Sequence, residues 1–272
     1  VPSTSENVKV RTLDGLTLAG TLVLPATQQQ RSLVMVHGGG VTREEGGFFT
    51  RLAEGVAESG VASLRFDLRG HGESGGRQQD LTLSMVLNDI RVVADYLRQR
   101  TGHERVCLLG TSFGGGITGY YAGMRPSEVQ RLVLLNPQFD YKKRTIDSRA
   151  YWTNDQLDAA VAHELAERGY IDFTPTFKHG SAIFNEVFWL KPHENIHKIQ
   201  APTLVVHGTH DTFVDIENSR AAINHLTAEH RLLEIDGAQH GFAVHDDPHY
   251  LHPQSQVWQA EVIKAVKDWL IA

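Results

Sequence analysis

Val106-Cys107-Leu108-Leu109-Gly110-Thr111-Ser112-Phe113-Gly114 is the stretch of this 272-residue chain on which the reading of the fold turns. Four apolar residues suited to a covered strand run into a Gly-x-Ser-x-Gly sequence, and a glycine-rich stretch that reads as a helix start follows at once. Strand, sharp turn and helix with a serine at the apex lift the hydroxyl clear of its neighbours. The helix N-terminus then turns free backbone N–H groups toward whatever the serine attacks. The expectation is a serine hydrolase.

On both sides of this stretch, short apolar runs alternate with helical patterns. Val8 to Leu13 and Leu16 to Leu24 read as two strands joined by a tight turn at Asp14-Gly15, a dipeptide that tolerates positive φ. Ser32 to Val36, Val61 to Phe66, Val106 to Leu109, Leu132 to Leu135, Thr203 to Val206 and Arg231 to Ile235 lack strict polar alternation, as strands covered on both faces do. Between them, Phe48, Leu52 and Val56 share a helical face, as do Val86, Ile90, Val93 and Leu97, and later Trp258, Val262, Val266 and Trp269. The pattern predicts an α/β fold with one mostly parallel eight-stranded sheet, helices on both faces, and ligands bound beyond the carboxyl ends of the strands.

Residues 138–200 break this rhythm, since a plain crossover to the next strand needs far fewer residues. The expected organisation is therefore a core of residues 1–137 and 201–272 with an insert of 138–200 after the sixth strand. The insert is rich in aromatic residues, among them Tyr151, Trp152, Phe173, Phe177 and Trp189. Two readings stand: a lid that walls a pocket, or a helical excursion that buries the rings in a small core of its own.

A serine hydroxyl needs a base within hydrogen-bond reach and a carboxylate to orient that base. Of fifteen histidines, His240 in Gly237-Ala238-Gln239-His240-Gly241 lies just after the last apolar strand on a glycine-flanked loop. Asp211 closes the strand-to-loop run Thr203 to Asp211. Its rival Asp215 suits an N-cap of the following helix. The order Ser112, Asp211, His240 is that of a Gly-x-Ser-x-Gly hydrolase. For the oxyanion, the amide of Phe113 and that of Gly39 in His37-Gly38-Gly39-Gly40 form a candidate pair, against the plain reading of a glycine turn.

A second match, Gly72-Glu73-Ser74-Gly75-Gly76, fails the strand-turn-helix test, and Ser74 reads as a loop buttress. His245 to His252 is rich in potential metal ligands, but its proline and tight spacing suit a surface loop, so no metal is expected. The net charge of -6 argues against nucleic acid as a partner. No apolar run reaches the length of a membrane span. The single cysteine, Cys107, fits a reducing, cytoplasmic compartment, although a signal already removed would leave no trace, and a homodimer is left open.

These residues together resemble the α/β-hydrolase superfamily, and within it the single-domain carboxylesterases similar to feruloyl and cinnamoyl esterases and the serine-aminopeptidase-like hydrolases. The resemblance rests on His37 to Gly40, on Arg65-Phe66-Asp67-Leu68-Arg69-Gly70-His71-Gly72-Glu73-Ser74, on the elbow at Ser112, on His207 to Thr212 and on Gly237 to His240. It implies Ser112 as nucleophile, His240 as base, Asp211 as orienting acid, Gly39 and Phe113 as oxyanion donors, and an insert that caps the acyl pocket without any cofactor. The elbow reads Thr111-Ser112-Phe113 where such esterases commonly have His-Ser-Gln. The expected substrate is a small ester with an aryl or apolar acyl group, whose polar end Asp140, Tyr141 or Arg144 would bind. The alternatives are acyl transfer from a thioester, and a non-catalytic small-molecule binding protein.

Overall fold

The computed structural model describes residues 3–27 and 29–272. Eight strands form one sheet: β1 (Thr4–Arg11), β2 (Thr17–Leu24), β3 (Arg31–Val36), β4 (Val61–Phe66), β5 (Val106–Thr111), β6 (Val129–Leu135), β7 (Thr203–Gly208) and β8 (His230–Ile235). Their order is β1-β2-β4-β3-β5-β6-β7-β8, with β1 and β2 antiparallel at one edge and β3 to β8 parallel. This is the α/β-hydrolase fold.

The inner strands lack polar alternation because both of their faces are covered. Leu33 and Met35 of β3, with Cys107 and Leu109 of β5, face a core built by α1 (Phe48–Glu58) and α7 (Pro253–Ile271). Val34, Val36, Val106 and Leu108 face the opposite core, built by α2 (Leu83–Thr101) and α3 (Ser112–Met124). Successive side chains thus serve opposite layers, as the two-residue strand period requires.

The structure corrects two details of this reading. The first hairpin does not turn on Asp14-Gly15 alone: Thr12 and Leu16 still pair, with an N···O distance of 2.9 Å, so the turn spans Leu13 to Gly15, with Gly15 at φ 89°. Along α7 the buried line is Ser255, Gln259, Val262, Val266 and Leu270, and Trp258 and Trp269 flank it. The two polar members are buried because they hold a loop, as described below.

The insert follows β6 and is mixed rather than helical. A π-helical turn (Lys143–Asp147), a short hairpin of Trp152–Thr153 with Gln156–Leu157, α4 (Ala159–Arg168), a second hairpin of Ile171–Thr174 with Phe177–His179, and α5 (Ser181–Glu186) precede a 3-10 segment, Pro192–Lys198. Its buried rings, Phe139, Tyr141, Phe177 and Phe184, merge with the α2/α3 core rather than forming a separate one. The insert is therefore a cap packed onto the sheet end, with Trp189 left 87% exposed. Among the described residues no helix is long and apolar enough to cross a membrane.

Helix α3 lies against the residues that leave β6, and glycine makes that approach possible. A Cβ at Gly116 would overlap the carbonyl oxygen of Gln138, and one at Gly115 would press on Pro137. Gly116→Ala is expected to cost about 1–3 kcal/mol or more, because backbone cannot yield as a flexible side chain can. Chemical denaturation checks this; an unchanged midpoint would show that the contact has slack.

Candidate active site

Ser112 is the residue at which β5 becomes α3, and its φ of 51° lies in the left-handed region that non-glycine residues rarely occupy. The turn is tight because residues 110 and 114 carry no Cβ: one at Gly110 would overlap Thr118 Oγ1, and one at Gly114 the carbonyl of His37. The serine is left half-buried at the sheet end.

His240 and Asp211 converge on it from neighbouring loops. His240 Nε2 is 2.9 Å from Ser112 Oγ, and its Nδ1 is 2.6 Å from Asp211 Oδ2. A carboxylate can only accept, so Nδ1 carries the proton and Nε2 is free to accept from the hydroxyl. Asp211 Oδ1 accepts from the amides of Phe213 (2.8 Å) and Val214 (2.9 Å), and His207 Nε2 lies 3.4 Å from Oδ2. Burial opposes the charge on Asp211. The hydrogen bonds from His207 and His240 and from the Val214 amide outweigh it and hold the carboxyl well below the usual carboxylate range. Asp215 lies one residue before Ile216, the N-cap of α6 (Glu217–Ile223), and accepts from the amide of Glu217 (3.0 Å) at the turn into that helix.

The loop carrying His240 is held by the two polar residues on the inner line of α7. Gln259 Nε2 donates to the carbonyl of Gly241 (2.9 Å), and the amide of Val244 donates to Ser255 Oγ (3.0 Å). Phe242, fully buried, packs edge-on against Phe48.

On the other side of Ser112, the loop after β3 is pinned at each end. The amide of Gly38 donates to Glu45 Oε1 (2.7 Å), and that of Gly40 to His71 Nε2 (3.1 Å). His37 Nε2 accepts from the Leu68 amide (2.9 Å), so its Nδ1 holds the proton given to the Gly38 carbonyl (2.7 Å). Burial, with help from His71, pushes the His37 pKa down to about 3, which keeps this neutral form. Among the described residues, the amide of Gly39 has no acceptor. A Cβ at Gly38 would lie 3.2 Å from Ser112 Cβ, so the loop runs directly beside the serine.

Ser74 has a structural place: its hydroxyl donates to the Asp67 carbonyl (2.6 Å) and accepts from the Ala19 amide (2.9 Å). In the histidine-rich segment, Asp247 accepts from the amides of Leu251 and His252, and His252 Nδ1 caps α7 by accepting from Gln254 (3.1 Å).

Of the three residues expected at the substrate's polar end, two face a cleft of about 220 Å³ next to the serine. Asp140 and Arg144 line it together with Gln138, Phe139, Phe213 and Val214. Phe213 tilts over the His240 ring at 5.3 Å, and the amide of Gln138 donates to the Ser112 carbonyl (3.0 Å), so the cleft adjoins the serine and histidine. Tyr141 corrects the expectation. It is 1% exposed, and its hydroxyl sits inside the first turn of α3, accepting from the Ile117 amide (2.8 Å) and donating to the Phe113 carbonyl. Its polar atom is spent on the elbow helix.

Comparison with known proteins accords with the fold. The family model described as serine aminopeptidase, S33, matches residues 27–247. The chain belongs to this family, within the α/β-hydrolase superfamily. A monoacylglycerol lipase of Mycolicibacterium smegmatis is 24% identical over 253 residues, covering 86% of this chain and 89% of that one. A polyketide transferase, grgF, of Penicillium sp is 29% identical over 115 residues, covering 41% of this chain and 38% of its own. Est1E from Butyrivibrio proteoclasticus, solved with ferulic acid bound, superposes with a TM-score of 0.78 at 24% identity, over 97% of this chain and 100% of that one, a likeness of fold.

In this S33-family chain, several residues shape the site in ways the sequence pattern does not show. Phe177 of the cap packs over Gly39 and edge-on against Phe113 (5.1 Å). His71 lies in a quoted motif, but its hold on Gly40 needs the fold to be seen. Glu45, 8% exposed, is a buried acid directly behind the glycine loop. Burial pushes its carboxyl up to about 7, although the Gly38 amide and His240 partly offset this.

Because Glu45 keeps its proton to higher pH in the folded than in the unfolded chain, its contribution is full below about pH 4.5 and is lost as pH rises through about 7. The loss is at most about 3 kcal/mol. Glu45→Gln keeps an acceptor for Gly38 and should flatten this part of the stability profile. Urea unfolding at pH 5 and pH 8 measures it; parallel profiles for variant and parent would show that Glu45 does not titrate there.

Proposed function

We propose that this chain is a serine esterase that cleaves a small carboxylic ester through an acyl-enzyme. The observation that carries the reading is the unbroken hydrogen-bond chain from Ser112 Oγ through His240 to Asp211, at 2.9 and 2.6 Å. Ser112 attacks the ester carbonyl while His240 Nε2 takes its proton. Asp211 steadies the imidazolium that forms. The amides of Gly39 and Phe113 stabilise the tetrahedral oxyanion, a contribution that commonly reaches 2–4 kcal/mol per donor, on the order of a hundredfold or more in rate. His240 then protonates the leaving alcohol. Water repeats the cycle, giving its proton to His240 and its oxygen to the acyl group, and Ser112 is regenerated.

Residues 138–200 act as the cap of this site. Phe139 and Phe213 give the cleft apolar walls, which favour an aryl or apolar acyl body, and a protein of like fold was solved with ferulic acid bound. Acyl transfer to an alcohol or amine uses the same acyl-enzyme, and the partial likeness to a polyketide transferase keeps that outcome in view. Competition between water and an added acceptor during turnover separates the two.

Ser112→Ala should lower hydrolysis of a short-chain p-nitrophenyl ester by several orders of magnitude in a folded protein. Asp211→Asn should lower it by about 10⁴, since the amide favours the wrong tautomer of His240. Steady-state rates with circular dichroism as the folding control check both. Ser112→Ala activity near that of the parent would refute the reading.

A further inference from the structure

Among the described residues, two arginines at the start of the cap have no ion-pair partner, and the acids nearby are hydrogen-bonded elsewhere. Asp147 and Asp155 pair with Lys142 (2.7 and 2.8 Å). Asp140 accepts from the Lys143 amide (2.9 Å) and faces His193 at 3.7 Å. Asp215 accepts from the Glu217 amide, and Asp211 serves His240. Among the described residues, neither Arg144 nor Arg149 forms an ion pair.

Both guanidinium groups instead rest on one aromatic ring. Arg149 lies 3.8 Å from the centre of Phe173 and Arg144 5.9 Å from it. Arg149 Nε is buried without a hydrogen-bond partner, as are both ring nitrogens of His179, which stacks on the same phenyl ring at 4.1 Å. Arg144 lines the cleft with Lys143 and Ser148, and the acids Asp140 and Asp215, bound as described above, line it too. Partial burial first, and then the charge of Arg149, disfavour the charged form of Arg144, and the Asp211 carboxylate offsets part of this. Two half-buried like charges near each other are costly, and an anion bound at Arg144 eases their repulsion. The guanidinium fork fits the two oxygens of a carboxylate or phosphate.

We propose that the cleft takes an anionic oxygen group of the substrate, carboxylate or phosphate, held by Arg144 with Arg149 behind it, so that the preferred esters are acidic ones. This rests on the esterase reading above and narrows its substrate class. The apolar body of the acyl group then lies against the phenyl rings while the charged end reaches the arginines.

The test compares p-nitrophenyl pentanoate with p-nitrophenyl hydrogen glutarate and its 4-phosphonobutanoate counterpart, which carry the anion on the acyl side. A third comparison, 3-carboxy-4-nitrophenyl pentanoate, carries it on the alcohol. At low salt at least one charged ester should exceed the neutral one in kcat/KM by about tenfold or more, the scale of a hydrogen bond to a charged group. That preference should shrink with added NaCl. Arg144→Gln should reduce the charged-to-neutral ratio by about tenfold, chiefly through KM, with Arg144→Lys in between. Arg149→Gln should lower the same ratio and serves as the second variant if Arg144→Gln does not fold. The better of the two acyl-side anions tells carboxylate from phosphate. If every charged ester is poorer than the neutral one, or if the preference survives both Gln variants, the proposal is wrong. Failure of the esterase reading looks different: no ester is turned over, and a fluorophosphonate does not label Ser112.

Discussion

The site depends on a close backbone approach at the carboxyl ends of β3, β5 and β6. The loop after β3, the elbow at Ser112 and the chain leaving β6 meet there with no room for side chains at Gly110, Gly114 or Gly116. This approach places the Gly38–Gly39 backbone beside the serine and turns the start of α3 toward it. The serine's left-handed φ is tolerated because backbone packed on both sides over-determines it. Loops after β7 and β8 then need only bring Asp211 and His240 across the neighbouring strand ends. A change that pushes α3 away from either loop alters the hydroxyl and the N–H groups together.

Polar side chains buried behind the site complete what the glycines permit. Glu45 and His71 take the amides on either side of Gly39, and His37 bridges to Leu68, so the free amide is defined by what its neighbours are bound to. Gln259 and Ser255 hold the histidine loop in the same way, and the Tyr141 hydroxyl is built into the first turn of α3. Each of these groups would be costly to bury alone, which ties the loops to a single arrangement.

This division explains what could be read from the chain. Six of the eight strands were legible because apolar runs without alternation follow directly from cover on both faces, the first two from their hairpin turn, and Ser112, Asp211 and His240 because each follows such an apolar run. Glu45, Gln259 and Arg149 were not, since a buried polar residue adds no period to the sequence and gains its meaning only from a distant partner. Tyr141 misled for a related reason: a tyrosine at the start of the insert reads as a hydroxyl free to bind the substrate's polar end, whereas that hydroxyl is spent within α3. The hairpin turn ran wider than Asp14-Gly15 because Thr12 and Leu16 still pair beyond the regular ladder.

The central claim is that Ser112 and the one free amide of the glycine loop act on the same carbonyl. A crystal structure of the protein after reaction with an alkyl fluorophosphonate tests it most directly. The account predicts phosphorus bonded to Ser112 Oγ, with its free oxygen about 2.7–3.1 Å from the amide nitrogens of both Gly39 and Phe113. An unmodified Ser112, or an adduct whose oxygen points away from Gly39, would contradict it.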